Sequence, residues 1–422
     1  MSDSTLSEGQ AWFADARFGM FVHWGMYSEQ GWEPSWPLVG NNGAFPYGQD
    51  VPVDDYYAKA GEFCPPVGAP IEWMRLAKAC GMQYAVLTTK HHDGFALFDD
   101  ESASFGIAHN EPGRDLVGEF VHATREAGLR VGLYLSLSDW HDPDYPAWTD
   151  DMRPYGFSFP QPEPEPWGRF SARLQAQLRH LLTAYGPIDT LWFDGGWEHS
   201  ARRWGSRELE AMIRELQPDI VINNRLPEVG DYESPEQSVP HPIPDGPWEV
   251  CMTMNQSWGP VAEDPDRKSA RYLLSVLTEV AAGGGNLLLN ISPEGDGAVP
   301  AWQRERLEVI AGWMDRNGEA VLGTGRGLEP WQFHGPTTRR GDTTYLFCDG
   351  RPQEFVVLRG VIGAQITSIR ALGTGQELSF DLQLGALERI VGGPCLCDVV
   401  IAVPADALDP VLTVLEVTSA PG

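Results

Sequence analysis

Two periodicities alternate along most of the chain. Short apolar runs read as buried strands, and each is followed by a stretch with apolar residues every three or four positions, which reads as a helix. The strand series is Arg17–Trp24, Tyr84–Thr89, Arg130–Ser136, the run around Leu191–Asp194, Ile220–Asn224, Trp248–Met254 and Asn286–Ile291. Between and after them come helices at 70–80, Asp115–Ala127, Trp167–Tyr185, Arg207–Leu216, Arg267–Ala282 and Trp302–Asn317. The first three of these helices stop at Gly81, Gly128 and Gly186, where a left-handed cap is cheapest. This order predicts an α/β protein with a (β/α)8-type barrel, and an open doubly wound sheet is its competitor. The barrel is favoured because polar and aromatic residues recur after nearly every strand, as they would in loops ringing one mouth. Segments 26–54, 141–166 and 226–247 are rich in Gly, Pro and acids, show no periodicity, and predict long loops.

From about residue 331 the texture changes. Thr344–Cys348, Glu354–Arg359, Thr367–Ala371, Glu377–Gln383, Asp398–Val403 and Val411–Val417 are strand-length runs separated by Gly, Pro and Asp, with no helical stretch among them. They predict a small C-terminal antiparallel β-sandwich at 331–422 behind a catalytic barrel at 1–330. The sandwich carries no cluster of reactive side chains. Its expected role is packing or association into a homo-oligomer.

Composition narrows the partners. A chain of 422 residues exceeds one compact core and suits a large barrel plus a smaller domain. Thirty Lys and Arg against 59 Asp and Glu leave a net charge of −29, which repels phosphate backbones and anionic lipid. Nucleic acid and membrane are therefore not expected as partners, whereas a neutral carbohydrate feels no such repulsion. No apolar run approaches a membrane span, and Met1–Thr5 lacks the basic and apolar regions of a signal peptide. With six scattered Cys, the expected location is the cytoplasm. The pair Cys395 and Cys397 has no further Cys or His at ligand spacing, so no metal or other cofactor is expected.

The candidate chemistry sits at the strand ends. In Asp189–Trp197, D-T-L-W-F-D-G-G-W, an apolar run meets the carboxylate of Asp194 and stops at two glycines. A carboxylate at the C-terminal end of a barrel strand is a common catalytic position; capping of the following helix is the plainer reading of the same residue. His23, His91, His92, Asp139, Trp192 and Arg225 fall at other strand ends, and Glu233 and Glu236 lie in the loop after the fifth strand. Two carboxylates from different loops, with imidazoles and indoles around them, are what glycoside cleavage needs. His91-His92-Asp93 also reads as a metal cluster, but adjacent strand residues point to opposite faces, so both imidazoles meet only if the backbone turns there. Gly283–Gly285 precedes a strand, and G-T-G-R-G at 323–327 leads into the sandwich, so neither suits a phosphate cradle.

At these motifs the chain resembles the alpha-L-fucosidases, glycoside hydrolase family 29. The matching segments are R-F-G-M-F-V-H-W-G (17–25), T-T-K-H-H-D-G-F (88–95), L-W-F-D-G-G-W (191–197), G-D-Y-E-S-P-E-Q (230–237) and G-G-G-N-L-L-L-N-I-S-P-E-G-D-G (283–297), in order across roughly residues 10–325. The resemblance implies a barrel with a C-terminal β-sandwich and an exo-acting, metal-free, retaining double displacement on terminal alpha-L-fucosides. It implies Asp194 as nucleophile and Glu236 as acid/base. It places His23, His91, His92, Trp192, Arg225 and Tyr134 on the sugar ring, and Phe21 and Trp258 against its methyl group. One branch of the family carries a Glu-Trp pair in the first long loop, where this chain has Pro46-Tyr47-Gly48-Gln49-Asp50. Trp32, Glu33 and Trp36 lie nearby, and Trp36 is the expected sugar contact among them. The same machinery tuned to another sugar or a small glycosylated metabolite, and an inactive fucose-binding relative, are the alternative readings.

Overall fold

The computed structural model describes residues 7–40, 46–156, 160–392 and 395–420. Seven parallel strands form a curled sheet: β1 Phe18–Val22, β2 Tyr84–Lys90, β3 Arg130–Ser136, β4 Thr190–Asp194, β5 Val221–Ile222, β6 Glu249–Met252 and β7 Asn286–Ile291. Their spatial order is β5-β4-β3-β2-β1-β7-β6. Residues 231–237, expected as loop, connect the two edges. Asp231 N–H donates to the Ile222 carbonyl at 2.7 Å, Glu249 N–H to Glu233 at 2.9 Å, and Gln237 N–H to Cys251 at 2.9 Å. This segment stays irregular for physical reasons: Pro235 has no N–H to give a ladder, and Gly230 and Gln237 both take positive φ. The eighth side of the ring is thus a bent ribbon, and it carries Glu236.

Every barrel strand except at Arg130 is fully buried, so hydropathy alone did not separate inside from outside. The structure does. Phe21, Tyr84, Val86, Tyr134, Trp192, Cys251 and Leu288 pack together in the barrel interior, while their neighbours Met20, Val22, Leu87, Leu133, Leu191 and Leu289 pack outward on the helices. The interior set is closed from below by Phe13. That residue lies on a helix the hydropathy pattern did not flag, Glu8–Ala16, opened by a Ser7/Gln10 capping box. The other helices fall close to expectation, at Ala69–Ala79, Leu116–Glu126, Pro164–Thr183, Ser206–Leu216, Ala270–Ala282 and Ala301–Asn317. Segment 26–54 is not all loop, for Met26–Gln30, Trp36–Val39 and Val53–Ala58 form short helical turns in it.

The C-terminal strands are β8 Gly325–Arg326, β9 Thr337–Arg340, β10 Thr343–Cys348, β11 Glu354–Ile362, β12 Ile366–Ala371, β13 Gln376–Glu377, β14 Phe380–Gln383, β15 Leu396–Val403 and β16 Thr413–Ser419. They make a six-stranded sheet, β13-β12-β16-β10-β9-β8, and a three-stranded sheet, β11-β15-β14. The larger sheet works on both faces. Tyr345 and Phe347 of β10 join the outer barrel core, whereas Leu346 and Cys348 face the small sheet. One expectation fails here: Ala386–Val391 is a helix within the sandwich. Its six residues are too few for the 3.6-residue period to show among flanking glycines.

Candidate active site

Asp194 is the last residue of β4, and Gly195 and Gly196 follow it. Gly195 has φ +74°, and a Cβ there would lie 2.2 Å from Ser138 Oγ; one on Gly196 would lie 2.1 Å from the Arg225 carbonyl. The glycine pair therefore lets the loops after β3 and β5 close against the strand end. Residues from these loops and their neighbours surround a small cavity. It is lined by Phe21, His23, Trp36, His91, His92, Tyr134, Trp192, Asp194, Arg225, Glu236 and Trp258, with Trp197 and Cys251 completing the wall. The first eleven are the residues singled out from the sequence; the last two were not. Cys251 sits beside the bent ribbon, where Arg225 Nη2 approaches its sulfur at 3.9 Å.

Arg225 organises the polar side. Its Nη1 donates to Asp194 Oδ1 at 3.0 Å and its Nη2 to Glu236 Oε2 at 2.7 Å, so one guanidinium holds both carboxylates. Its plane lies 4.6 Å from the Trp192 ring centre, a cation–π stack. Asp194 Oδ2 accepts from the Tyr134 hydroxyl at 2.9 Å, and His92 Nε2 stands 3.6 Å from the same oxygen. Burial alone would raise the Asp194 pKa, but Arg225, His92 and Tyr134 outweigh it and hold the carboxyl below its ordinary value. Asp194 is therefore an anion at neutral pH, at the wall of the cavity.

The three imidazoles are neutral there. Burial pushes His23 down to about 3 and His92 to about 4, against the pull of Asp194, and it depresses His91 strongly. The His91 and His92 rings lie only 4.3 Å apart because β2 ends at Lys90 and the chain turns there, which removes the opposite-face objection. Each is oriented from behind: Ser35 Oγ bonds His91 Nδ1 at 2.6 Å, and Ser136 Oγ bonds His92 Nδ1 at 2.6 Å. His91, His92 and Asp194 bring donor atoms within 4.8 Å of one another, the one such group among the described residues. The charge a metal would offset on Asp194 is already offset by Arg225.

Other predicted residues land elsewhere. Asp139 points away from the cavity and pairs with the buried Lys90 at 2.9 Å. Glu233 and Glu236 are both exposed on the ribbon, but Glu236 lines the cavity and Glu233 does not. Glu33 does not reach the cavity; it is wholly buried and accepts the Trp258 backbone N–H at 2.9 Å. Trp32 stacks on Tyr56. Tyr47 bonds Asp266 and Gln49 accepts from the Glu33 N–H, so the 46–50 stretch braces the loop from outside.

Two further buried acids escaped the sequence reading. Glu249, at the base of the interior, accepts from Trp192 Nε1 at 2.9 Å and from the Tyr84 hydroxyl. Glu198 accepts from Trp140 Nε1 and the Tyr155 hydroxyl, both at 3.1 Å, and from Tyr145. Burial pushes both carboxyls up to about 7. A Glu alternating with apolar residues in β6, W-E-V-C-M, is the signal that marks Glu249 as inward-facing.

A parallel barrel whose strand ends present an anionic carboxylate, a second carboxylate on the same guanidinium, neutral imidazoles and indole walls defines a glycoside hydrolase. The comparisons make the class specific. A family profile described as alpha-L-fucosidase matches residues 2–319. The tissue alpha-L-fucosidase of Homo sapiens is 31% identical over 394 residues, covering 88% of this chain and 82% of that protein. The alpha-L-fucosidase isoenzyme 1 structure from Paenibacillus thiaminolyticus superposes with a TM-score of 0.84 at 35% identity, covering 98% of this chain and 99% of that one. A Bacteroides thetaiotaomicron alpha-L-fucosidase structure, holding a trapped covalent intermediate with 2-fluoro-fucosyl fluoride, superposes with a TM-score of 0.81 at 25% identity, covering 99% of this chain and 97% of that one. The chain belongs to the alpha-L-fucosidase family.

Proposed function

We propose that this protein is an exo-acting alpha-L-fucosidase that removes a terminal sugar with net retention. The observation that carries the reading is the Arg225 guanidinium held between Asp194 and Glu236 at the barrel mouth. Asp194 attacks the anomeric carbon while Glu236 gives its proton to the departing oxygen, leaving a glycosyl ester on Asp194. Glu236 then takes a proton from water, the water oxygen bonds the anomeric carbon, and the ester bond to Asp194 breaks. Arg225 and Tyr134 stabilise the Asp194 carboxylate as it forms and is released. Neutral His23, His91 and His92 can each meet a sugar hydroxyl, since an uncharged imidazole offers one donor and one acceptor. Phe21, Trp192 and Trp258 supply the apolar surface that a methyl group and a ring face need, with Trp36 at the rim. A closed pocket rather than an open groove supports release of one sugar from a chain end.

The residues that do this work are protein side chains throughout, and the reading assigns no role to a metal. Six unpaired cysteines, one of them at the pocket wall, favour a reducing compartment such as the cytoplasm. The test is a panel of aryl glycosides followed by an NMR time course on the substrate that turns over. Release of phenol from the alpha-L-fucoside, with the alpha anomer of fucose formed first, is the expected result. Turnover confined to another glycoside, or the opposite anomer first, overturns it.

A further inference from the structure

Behind His23 the structure holds a chain of four groups. Asn290, on β7, sits beside Phe21 in the strand register and faces the barrel interior. Its Oδ1 lies 2.7 Å from His23 Nδ1, and its Nδ2 donates to the Trp258 carbonyl at 2.9 Å. The peptide that carries this carbonyl is held from its other side, because Gly259 N–H donates to Glu33 Oε2 at 3.3 Å, and the peptide before it is held by Trp258 N–H, which donates to both Glu33 oxygens at 2.9 and 3.0 Å. A carbonyl only accepts, so the amide must present its NH2 group to Trp258. Turning the amide over would set two carbonyl oxygens against each other in a buried site. The oxygen of Asn290 is therefore committed to His23, and an oxygen at 2.7 Å requires a proton on Nδ1.

From this geometry we infer that Asn290 is a positioning residue that fixes the tautomer of His23. It holds the neutral ring with its proton on Nδ1, so that Nε2 opens on the cavity as a bare acceptor. Among the described residues the ring's hydrogen-bond partner is Asn290, through Nδ1, and the ring lines the cavity. His23 then reads a ligand group that donates a hydrogen, and rejects one that can only accept. Through the same amide, the position of the Trp258 wall and the protonation of His23 are set together. The meaning for substrate choice rests on the reading of the cavity as a sugar pocket; the tautomer itself does not.

Two measurements decide it. In full-length protein labelled with ¹⁵N-histidine, long-range ¹H–¹⁵N spectra at pH 7 should show His23 as the neutral Nδ1–H form, its signals identified by their loss in His23→Gln. The Nε2–H form, or an imidazolium, overturns the inference. Asn290→Asp should raise the His23 titration midpoint by roughly one unit or more, since a carboxylate would replace the amide oxygen, with Asp194, His92 and Arg225 acting on the ring as before. A midpoint unchanged in a folded Asn290→Asp protein also overturns it. The second measurement uses wild-type protein and calorimetry with L-fucose, its three monodeoxy analogues and the matching deoxyfluoro sugars. At the position His23 reads, deoxyfluoro should lose as much affinity as deoxy, about tenfold or more, because fluorine cannot donate. If every deoxyfluoro sugar binds like fucose itself, the acceptor role is wrong. If fucose does not bind at all, the sugar-pocket reading fails while the spectra still decide the tautomer.

Discussion

The barrel has a cavity at each end, and the proposed active site occupies the smaller one. At the N-terminal ends of the strands a wide depression is lined by residues that include Trp12, Arg130, Asp189 and Asp219. At the C-terminal ends the enclosed space is much smaller. The same strands feed both: β3 begins at Arg130 and ends at Ser136, and β4 follows Asp189 and ends at Asp194. Below, Arg130 and Asp189 meet at 2.6 Å with the arginine half exposed, and the guanidinium also covers Trp12. Above, Arg225 meets Asp194 with both side chains nearly shut off from water. Chemically these are the same ion pair. Water screens the lower one to a small net effect, whereas the upper one acts in a medium where a single charge alters its neighbours' protonation. Size does not mark the active end; desolvated, paired charge does.

Substitution at the C-terminal end of β4 draws the comparison most sharply. Asp194→Ala should lower kcat on an activated aryl alpha-L-fucoside by roughly 10⁴-fold, about 5.5 kcal/mol, in a protein that still folds. Loss of less than about tenfold would remove Asp194 from the nucleophile's place.

On the ribbon that closes the ring, Glu236→Ala should cost about 10²–10³-fold on a natural fucoside and much less on a substrate with a good phenol leaving group. Added azide should then speed turnover and yield a fucosyl azide. Glu233→Ala, away from the cavity lining, should show neither behaviour, and rescue appearing there instead would reverse the assignment.

The buried imidazoles predict a dependence on pH. His23 is depressed to about 3 by burial, so between the ordinary histidine value near 6.5 and that point the unfolded chain binds a proton the folded one does not. Its stabilising contribution is full at pH 7 and shrinks as pH falls. The stability gap between wild type and His23→Gln should therefore narrow by up to about 1.4 kcal/mol per pH unit from 6.5 to 4.5, measured by urea unfolding. A gap independent of pH would mean that His23 is charged in the folded protein.

The smallest effect belongs to the lower end. Arg130→Ala should cost about 1 kcal/mol of stability or less and leave kcat within about twofold. A large fall in kcat would show that the lower cavity takes part in the reaction.

Much of the site was legible because strand ends in a barrel converge. His23, His91, His92, Asp194 and Arg225 each follow an apolar run, and Glu236 follows a proline, so a list of strand ends already gathers most of the cavity wall. Cys251 was missed because it lies within a strand, and Trp197 because it follows one by three residues and reads as loop. Glu33 stood among candidates for the sugar, yet it turned inward. A carboxylate in a Trp-rich loop looks the same whether it meets a ligand or the backbone N–H of Trp258.

Local patterns in the sequence established the alternation of strand and helix, the place of the two carboxylates along it and a change to β-structure near residue 331, six residues after β8 begins. These follow from local periodicity and from chain order, which each segment carries on its own. The folded chain alone fixed which face of each all-apolar strand lines the barrel, and that residues 231–237 complete the ring. It also decided that Asn290, 267 residues from His23, touches its ring. Burial on both faces erases the period-two signal, and a contact across that distance in the chain leaves no local pattern in either segment. The protonation of the three imidazoles belongs to the same class, since it is set by how much water the closed barrel leaves around them.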